Sequence, residues 1–109
     1  MTGTCEFGEV YLCRFPFTSG ESSKPRPVLV LFDIGADVVI CRITSVMHTS
    51  RFDVTILHWQ QAGLQRPSVI RLNRLVTAEK SVLLHRLGSL SEPDARVIKA
   101  VWNQHMILR

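Results

Sequence analysis

The segment KPRPVLVLF at residues 24–32 constrains the fold more than any other part of this sequence. Pro25 and Pro27 each fix φ near about −65° and push the residue before them toward extended geometry. Residues 28–32 then form an unbroken apolar run, which is typical of a central strand buried on both faces. The segment therefore predicts a β-sheet whose central strand begins beside a rigidly held arginine, Arg26.

Two interpretations of Arg26 are open from this segment alone. A guanidinium on a stiff backbone is aimed before any ligand arrives, which suits a binding or catalytic cation. The two prolines equally fit the end of a loop that prevents an edge strand from pairing with other chains.

Apolar and alternating segments on either side extend the predicted sheet. Residues 9–15 and 38–45 are predicted strands, joined to the central strand by the polar loop 18–25 and the turn 33–37. Short connections make these three strands an antiparallel meander. Beyond residue 45 the predicted elements are short: strands at 52–57 and 68–72, a helical turn at 59–62 closed by Gly63, and a turn at 82–85 leading into 86–90.

The end of the chain predicts a helix with a defined start. Ser91 is a candidate N-cap, Pro93 suits the first turn, and Asp94 lies three residues after the cap. Apolar residues recur at helical spacing over 97–106. With no repeat and no linker, residues 1–109 are predicted to form one mainly β domain, a small and strongly bent β-barrel with one C-terminal helix packed on it.

The cysteines, the histidines and the hydropathy pattern argue against several classes of protein. Three cysteines without a C-x-x-C spacing disfavour a disulfide framework and a zinc site, and four histidines show no ligand spacing. No apolar run approaches the ~18–20 residues of a membrane span, and the first residues lack the features of a secretion signal. We expect a cytoplasmic protein that uses no metal and no cofactor.

The charge distribution indicates the kind of partner. The net charge is +4, and ten of the thirteen cationic side chains are arginine, which suits forked contacts with phosphate. Between residues 38 and 78 there are five arginines against one acid, Asp53. This pattern favours a polyanionic partner or an acidic protein that imitates one. A basic surface that serves only solubility is the other interpretation.

Three segments follow one another in a fixed order: GEVYLCRFPFTSGESSKPRPVLVL at 8–31, CRITSV at 41–46 and PSVIRLNRLVTAEKSVLLHRLGSLS at 67–91. In this order they resemble the MazF/PemK (also called Kid) family of toxin–antitoxin ribonucleases. Together with the terminal helix they span nearly the whole chain, and their order is more specific than any one of them. The resemblance implies an SH3-like small β-barrel of the MazF/CcdB toxin type.

For function, the resemblance implies a homodimer that cleaves single-stranded RNA without a metal. The 2′-OH would be the internal nucleophile, leaving a cyclic phosphate and a 5′-OH, and an acidic antitoxin protein would cover the RNA groove. Two other functions remain open. One is a non-catalytic or degenerate barrel that binds nucleic acid or only its antitoxin, and the other is a gyrase poison of the CcdB type.

Carried over by position, the resemblance implies three catalytic residues. Arg26 of the RP motif would stabilise charge that builds on the phosphate, and Thr44 at the end of the following strand would donate its hydroxyl to the same group. A second branch of the family uses an Arg-x-Asp in a later strand. The corresponding residues here are Arg71, Leu72 and Asn73, so an amide that cannot take a proton replaces the acid.

Further residues are expected to contact the RNA: Phe17, Thr18, Lys24, Ser45 and Asn73. The ring of Phe17 suits stacking on an unpaired base, although it would equally pin its loop to the barrel. The general base is left open. His48, just past the ITS segment, is one candidate for that role, and an ordinary surface histidine is the alternative interpretation.

Overall fold

The described chain forms one antiparallel sheet of six strands with a helix packed on it. The computed structural model describes residues 3–14 and 24–109, and the strand order is β4-β5-β3-β2-β1-β6. Extents of 32, 30 and 29 Å show that the sheet is strongly bent, because a sheet and a helix stacked flat would be only about 20 Å thick. The prediction of a mainly β fold with a C-terminal helix is confirmed. The elements in chain order are β1 (Glu9–Cys13), β2 (Arg26–Ile34), β3 (Asp37–Thr44), β4 (Asp53–Thr55), β5 (Val69–Glu79), a 3-10 turn (Lys80–Val82), β6 (Leu83–Ser89) and α1 (Glu92–His105).

The apolar run after Pro27 lies in β2, which pairs with β1 on one side and β3 on the other. The side chains of residues 28–31 are buried, as predicted. The prediction is wrong for Phe32, which is 48% exposed and packs edge-to-face on Trp102 with 5.5 Å between ring centroids. Leu31 is an extra residue in the β2–β3 register, between Val30 and Phe32. It moves the Phe32 ring from the face of Val30 to the face that the helix covers, where the ring stays partly exposed.

Alternate residues of β1, β2 and β3 point into two separate cores, as expected for strands with a side-chain period of two. The first core lies under α1, and Leu29 and Ile43 meet Ile98 of the helix there. The second core gathers Val28 and Ile40 with residues of β1 and β6. Both faces of the central strands are therefore buried within one chain.

The three cysteines are free and buried in these cores. Burial raises the pKa of the Cys13 thiol to about 11 and raises the pKa of the Cys41 thiol still further. These two thiols stay protonated at neutral pH, so they pack as small apolar groups and are poor nucleophiles.

Two predicted elements have different bounds in the structure. The strand predicted at 68–72 continues as β5 to Glu79, because its backbone pairs with β3 as far as Asp37 opposite Glu79. Residues 73–75 are exposed, and there the apolar pattern that marks a strand fades. The turn predicted at 82–85 lies at Lys80–Val82, and β6 begins directly after it.

The turn at residues 57–63 is anchored to the start of α1. Both carboxylate oxygens of Asp94 accept backbone bonds from this turn, one from the N–H of Leu57 at 2.9 Å and one from the N–H of His58 at 2.8 Å. Ser91 is the N-cap, as predicted, and its hydroxyl accepts from the N–H of Asp94. Gly63 ends the turn at φ +84°, also as predicted. No helix of the described residues is long and apolar enough to cross a membrane.

We expect Asp94→Ala to lower the free energy of unfolding by roughly 2–4 kcal/mol, because two backbone N–H groups lose a charged, buried acceptor. Glu92→Ala is the matched control, since Glu92 is an exposed acid of the same helical turn that pairs with Arg96. It should cost about 0.5 kcal/mol or less. Urea denaturation of both variants measures the difference, and equal losses would show that Asp94 does not hold the turn.

Candidate functional site

Arg26 and Thr44 lie at neighbouring strand ends. Val28 pairs with Arg42 in the β2–β3 register, and the same register carried two residues further places Arg26 opposite Thr44. Opposed residues share one face of a sheet, so the two side chains lie on the same side. The Thr44 hydroxyl oxygen accepts from the N–H of Val46 at 3.1 Å, which orients it and leaves its proton able to donate.

Three arginines lie close enough to Arg42 for their charges to act on it, and the four are named here the arginine cluster: Arg26, Arg42, Arg71 and Arg74. Arg42 of β3 is directly opposite Arg71 of β5. Burial lowers the pKa of Arg42, and the positive charges of Arg74, Arg26 and Arg71 lower it further. Like charges held this close repel one another, so an anion that binds among them relieves the repulsion.

Arg71 is held by an acid that the sequence pattern does not point to. Its Nε donates to Oδ1 of Asp53 at 2.9 Å, and the Asp53 side chain is 1% exposed. Burial acts to raise the pKa of Asp53, but hydrogen bonds from Ser50 and Arg71 outweigh it, so the net shift is downward. Asp53 therefore stays ionised and fixes the direction of the Arg71 guanidinium.

Asn73, at the position where the resemblance implies an acid, lies in an irregular stretch of β5. The β3–β5 register passes from Arg42 opposite Arg71 to Cys41 opposite Leu75, so residues 72–74 have no counterpart on β3. Asn73 and Arg74 are exposed in this irregular stretch. Asp53 was not predicted as a site residue because it precedes Arg71 by 18 positions and only the pairing of β4 with β5 brings them together.

A cleft of about 440 Å³ opens beside Arg26. Its polar and charged lining includes three predicted residues, Lys24, Arg26 and Ser45, and four that were not predicted: Gln65, Arg66, Ser68 and His85. Leu12, Leu64 and Leu87 line it with apolar surface. Arg26 therefore belongs to both the arginine cluster and the cleft, and the cleft has cationic as well as apolar lining residues.

The remaining predicted residues fall into two groups. Thr44, Arg71 and Asn73 do not line the cleft. Thr44 lies at the strand end next to Arg26, and Arg71 belongs with Arg26 to the arginine cluster. Phe17 and Thr18 lie outside the described residues. His48 is half-buried and does not line the cleft.

Sequence reasoning missed Arg42, Arg66 and His85 as members of one site. Arg42 and Arg66 were visible as part of the basic segment, but a linear count of charge cannot say which arginines converge. His85 lies 59 positions after Arg26, and only the neighbouring strands β2, β1 and β6 bring the two together. Over residues 3–14 and 24–109, no three side chains of His, Cys, Asp or Glu form a group that could hold a metal ion.

Comparison with known proteins identifies the family. Residues 6–105 match the family described as PemK-like, MazF-like toxin of type II toxin-antitoxin system. The probable endoribonuclease MazF of Mycolicibacterium smegmatis is 33% identical over 82 residues, which cover 67% of this chain and 72% of that protein.

Solved structures share the fold. Mycobacterium tuberculosis toxin MazF-mt6 superposes with a TM-score of 0.72 at 20% identity, over 93% of this chain and 99% of that one. An endoribonuclease in complex with its cognate antitoxin from a mycobacterial species gives 0.73 at 20% identity, over 97% and 98%. The resemblance seen in the sequence is thus confirmed, and this chain belongs to the PemK-like, MazF-like family of toxins of type II toxin–antitoxin systems.

Proposed function

We propose that this toxin is an endoribonuclease that cleaves single-stranded RNA without a metal ion, by attack of the 2′-OH on the adjacent phosphate. The observation that carries the proposal is the arginine cluster. One of its members, Arg26, also lines a cleft with apolar and cationic walls. A relative that is 33% identical is named a probable endoribonuclease, which supports the same activity here.

The phosphate would lie at Arg26 and Thr44. During attack, negative charge builds on the non-bridging phosphate oxygens, and donors that are already aimed there stabilise it without reorganising. Arg26 follows one proline and precedes another, so its backbone is held in the extended form before RNA arrives. Thr44 adds a hydroxyl from the neighbouring strand, and Arg71, aimed by Asp53, adds a second fixed guanidinium.

The walls of the cleft suit a single strand more than a duplex. Leu12, Leu64 and Leu87 offer apolar surface to unpaired bases, and Lys24 and Arg66 offer charge to the backbone between them. Bases inside a duplex are stacked and cannot reach such surface. Ser45, Asn73 and the loop residues Phe17 and Thr18 are proposed as further RNA contacts.

The arginine cluster also supports a mechanism without metal. A magnesium ion at a phosphate is held by carboxylates, and the described carboxylate that contacts the arginine cluster, that of Asp53, is buried and already bound to Arg71. Four guanidinium groups supply the positive charge that such an ion would bring. Neither a metal nor another cofactor is part of the proposal.

Partners are proposed on the same basis. An acidic antitoxin would bind over the arginine cluster, since its carboxylates would imitate phosphate, and a solved neighbour is a complex with its cognate antitoxin. We further propose that residues 1–109 form one toxin domain that pairs as a homodimer in the cytoplasm, because a chain of this size gains buried area by pairing. Light scattering at micromolar concentration tests the dimer, and a monomer would contradict it.

The activity itself is tested with purified protein and a long RNA in EDTA. We expect fragments whose new ends carry a cyclic phosphate on one side and a 5′-OH on the other, and end mapping gives the cleavage site. An RNA that is bound but left intact would instead support the second candidate, a barrel that only binds nucleic acid or its antitoxin. Asn73 in place of the acid is the observation that favours that candidate.

Asn73→Asp separates the two catalytic routes of the family. If Arg26 and Thr44 carry the reaction, the new carboxylate lies near Arg74 and repels phosphate, so we expect cleavage to slow by roughly threefold to tenfold. Asn73→Ala is the matched control, because it removes the amide without adding charge. A faster Asn73→Asp enzyme with a new acidic limb in its pH profile would show that the reaction depends on an acid next to Arg71.

A further inference from the structure

The lining of the cleft contains one described side chain that can accept a proton near neutral pH. Arginine and lysine stay protonated there, serine and glutamine are too weakly basic, and the other lining residues are apolar. The remaining side chain is His85, whose neutral imidazole has a nitrogen that can accept a proton. Asp53 cannot replace it, because its carboxylate is 1% exposed and bound to Arg71.

A bulge in β6 directs His85 into this cleft. Cys13 pairs with Leu83 and Leu12 pairs with His85, so Leu84 is an extra residue with no counterpart on β1. In a regular strand, residues 83 and 85 would share one face. The extra residue places Leu83 in the second core, whereas His85 shares the opposite face with Leu12 and lines the cleft.

His85 and Arg26 line the same cleft, at positions two strands apart in the sheet. Leu12 of β1 is opposite Pro27 on one side and opposite His85 on the other, so the three form one row across the sheet. Two strand spacings separate the backbones of Pro27 and His85 by about 10 Å. Arg26 precedes Pro27 and lies opposite Cys13, so its backbone position faces the other side of the sheet. Its long side chain nevertheless lines the same cleft as the ring of His85, so the two side chains can border one phosphodiester group there.

We propose that His85 is the general base of the reaction, an inference that rests on the proposed function. The neutral imidazole takes the proton of the 2′-OH as the 2′ oxygen forms its bond to phosphorus. The bond between phosphorus and the 5′ oxygen then breaks, and the departing 5′ oxygen takes a proton from water. The imidazolium releases its proton to solvent, so the products are a 2′,3′-cyclic phosphate, a 5′-OH and the original enzyme.

Charged groups around His85 come from three elements. Lys24 and Arg26 face the cleft from the start of β2, Arg66 faces it from the segment after Gly63, and β1 contributes the apolar Leu12. On β6 itself, Arg86 is held by Glu9 at 3.1 Å. In this proposal Lys24, Arg26 and Arg66 bind the phosphates of the RNA next to His85, and the imidazole of His85 accepts the proton.

The test compares His85→Gln with wild type on a short RNA that carries a mapped cleavage site. Glutamine keeps a hydrogen-bonding group of similar length but cannot accept a proton. We expect kcat to fall by roughly a hundredfold or more, with the affinity for RNA and the denaturation midpoint unchanged. The acidic limb of the wild-type pH profile should disappear, and added imidazole should restore part of the activity of His85→Ala.

Three further variants decide between His85 and its rivals. His105→Gln removes the same group on α1, outside the cleft, and should cleave like wild type. His48→Gln and Glu21→Gln remove two further side chains that could accept a proton, one just past the ITS segment in the sequence and one in the predicted loop 18–25. If either of them removes the acidic limb while His85→Gln stays within threefold of wild type, the assignment of His85 is wrong.

Arg26→Ala and His85→Gln together separate the role of His85 from the RNA cleavage activity itself. Cleavage by wild type that Arg26→Ala abolishes and His85→Gln leaves unchanged would overturn the role of His85 alone. If the wild-type protein cleaves RNA under none of the conditions tested, both proposals are wrong.

Discussion

Arg26→Ala should lower the rate of RNA cleavage by roughly a hundredfold to a thousandfold while leaving the fold intact. Arg26 is exposed at the start of β2, so its side chain contributes little to either core. Its role in the proposed reaction is to meet charge that develops on the phosphate, and an alanine leaves that charge without its nearest donor. Arg26→Lys should fail nearly as badly, because a point charge cannot reproduce the planar fork of a guanidinium.

Arg96→Ala is the matched control for this loss of charge. Arg96 is an exposed arginine of α1 that pairs with Glu92, so its removal changes the net charge equally but far from the cleft lining. Single-turnover cleavage of a mapped RNA site and growth inhibition in cells measure both variants. If Arg26→Ala cleaves within threefold of wild type, the assignment of Arg26 as a catalytic residue is incorrect.

Gly63→Ala should lower the free energy of unfolding by roughly 2–5 kcal/mol, which is a large share of the stability of a small domain. Gly63 has a φ of +84°, a conformation that costs an L-residue about 1–2 kcal/mol. A Cβ atom there would also lie 2.2 Å from the carbonyl oxygen of Leu87, so the turn and β6 would have to separate. Because Leu64 and Leu87 both line the cleft, RNA binding should weaken as well.

Gly35→Ala separates the two causes, because Gly35 has nearly the same φ, +83°, and its Cβ would meet nothing within 4 Å. That variant should lose only the conformational part, about 1–2 kcal/mol. Gly88→Ala probes the contact from the other side, since its Cβ would lie 2.7 Å from the backbone of Ala62. Equal losses for Gly63→Ala and Gly35→Ala in urea denaturation would show that the close approach relaxes at no cost.

Several elements were predictable because their signals are local. The two prolines and the apolar run predicted β2, the cap residues around Ser91 predicted the start of α1, and Gly63 marked the end of a turn. Each of these depends on backbone preferences and spacing within a few residues. β5 was predicted too short for the same reason, since its exposed residues 73–75 carry no strand pattern and only pairing with β3 extends it.

The site itself was only partly predictable. Arg26, Thr44 and Arg71 came from motifs. The structure places Arg26 and Thr44 at neighbouring ends of the paired strands β2 and β3, and Arg71 in the arginine cluster. Asp53 and His85 carry no motif of their own. Asp53 becomes the partner of Arg71 through the pairing of β4 with β5, and His85 reaches the cleft through one extra residue in β6.

The sequence by itself determined that this chain builds a mainly β domain with a C-terminal helix, presents a stiff arginine at the start of its central strand, and carries clustered basic charge. Only the tertiary structure decided which cations converge, which acid holds Arg71, and which histidine faces the cleft. The physical reason is that strand propensity, caps and net charge act over a few neighbouring residues. Which side chains meet across a bent sheet depends on register, and a single bulge reverses the face on which a residue lies.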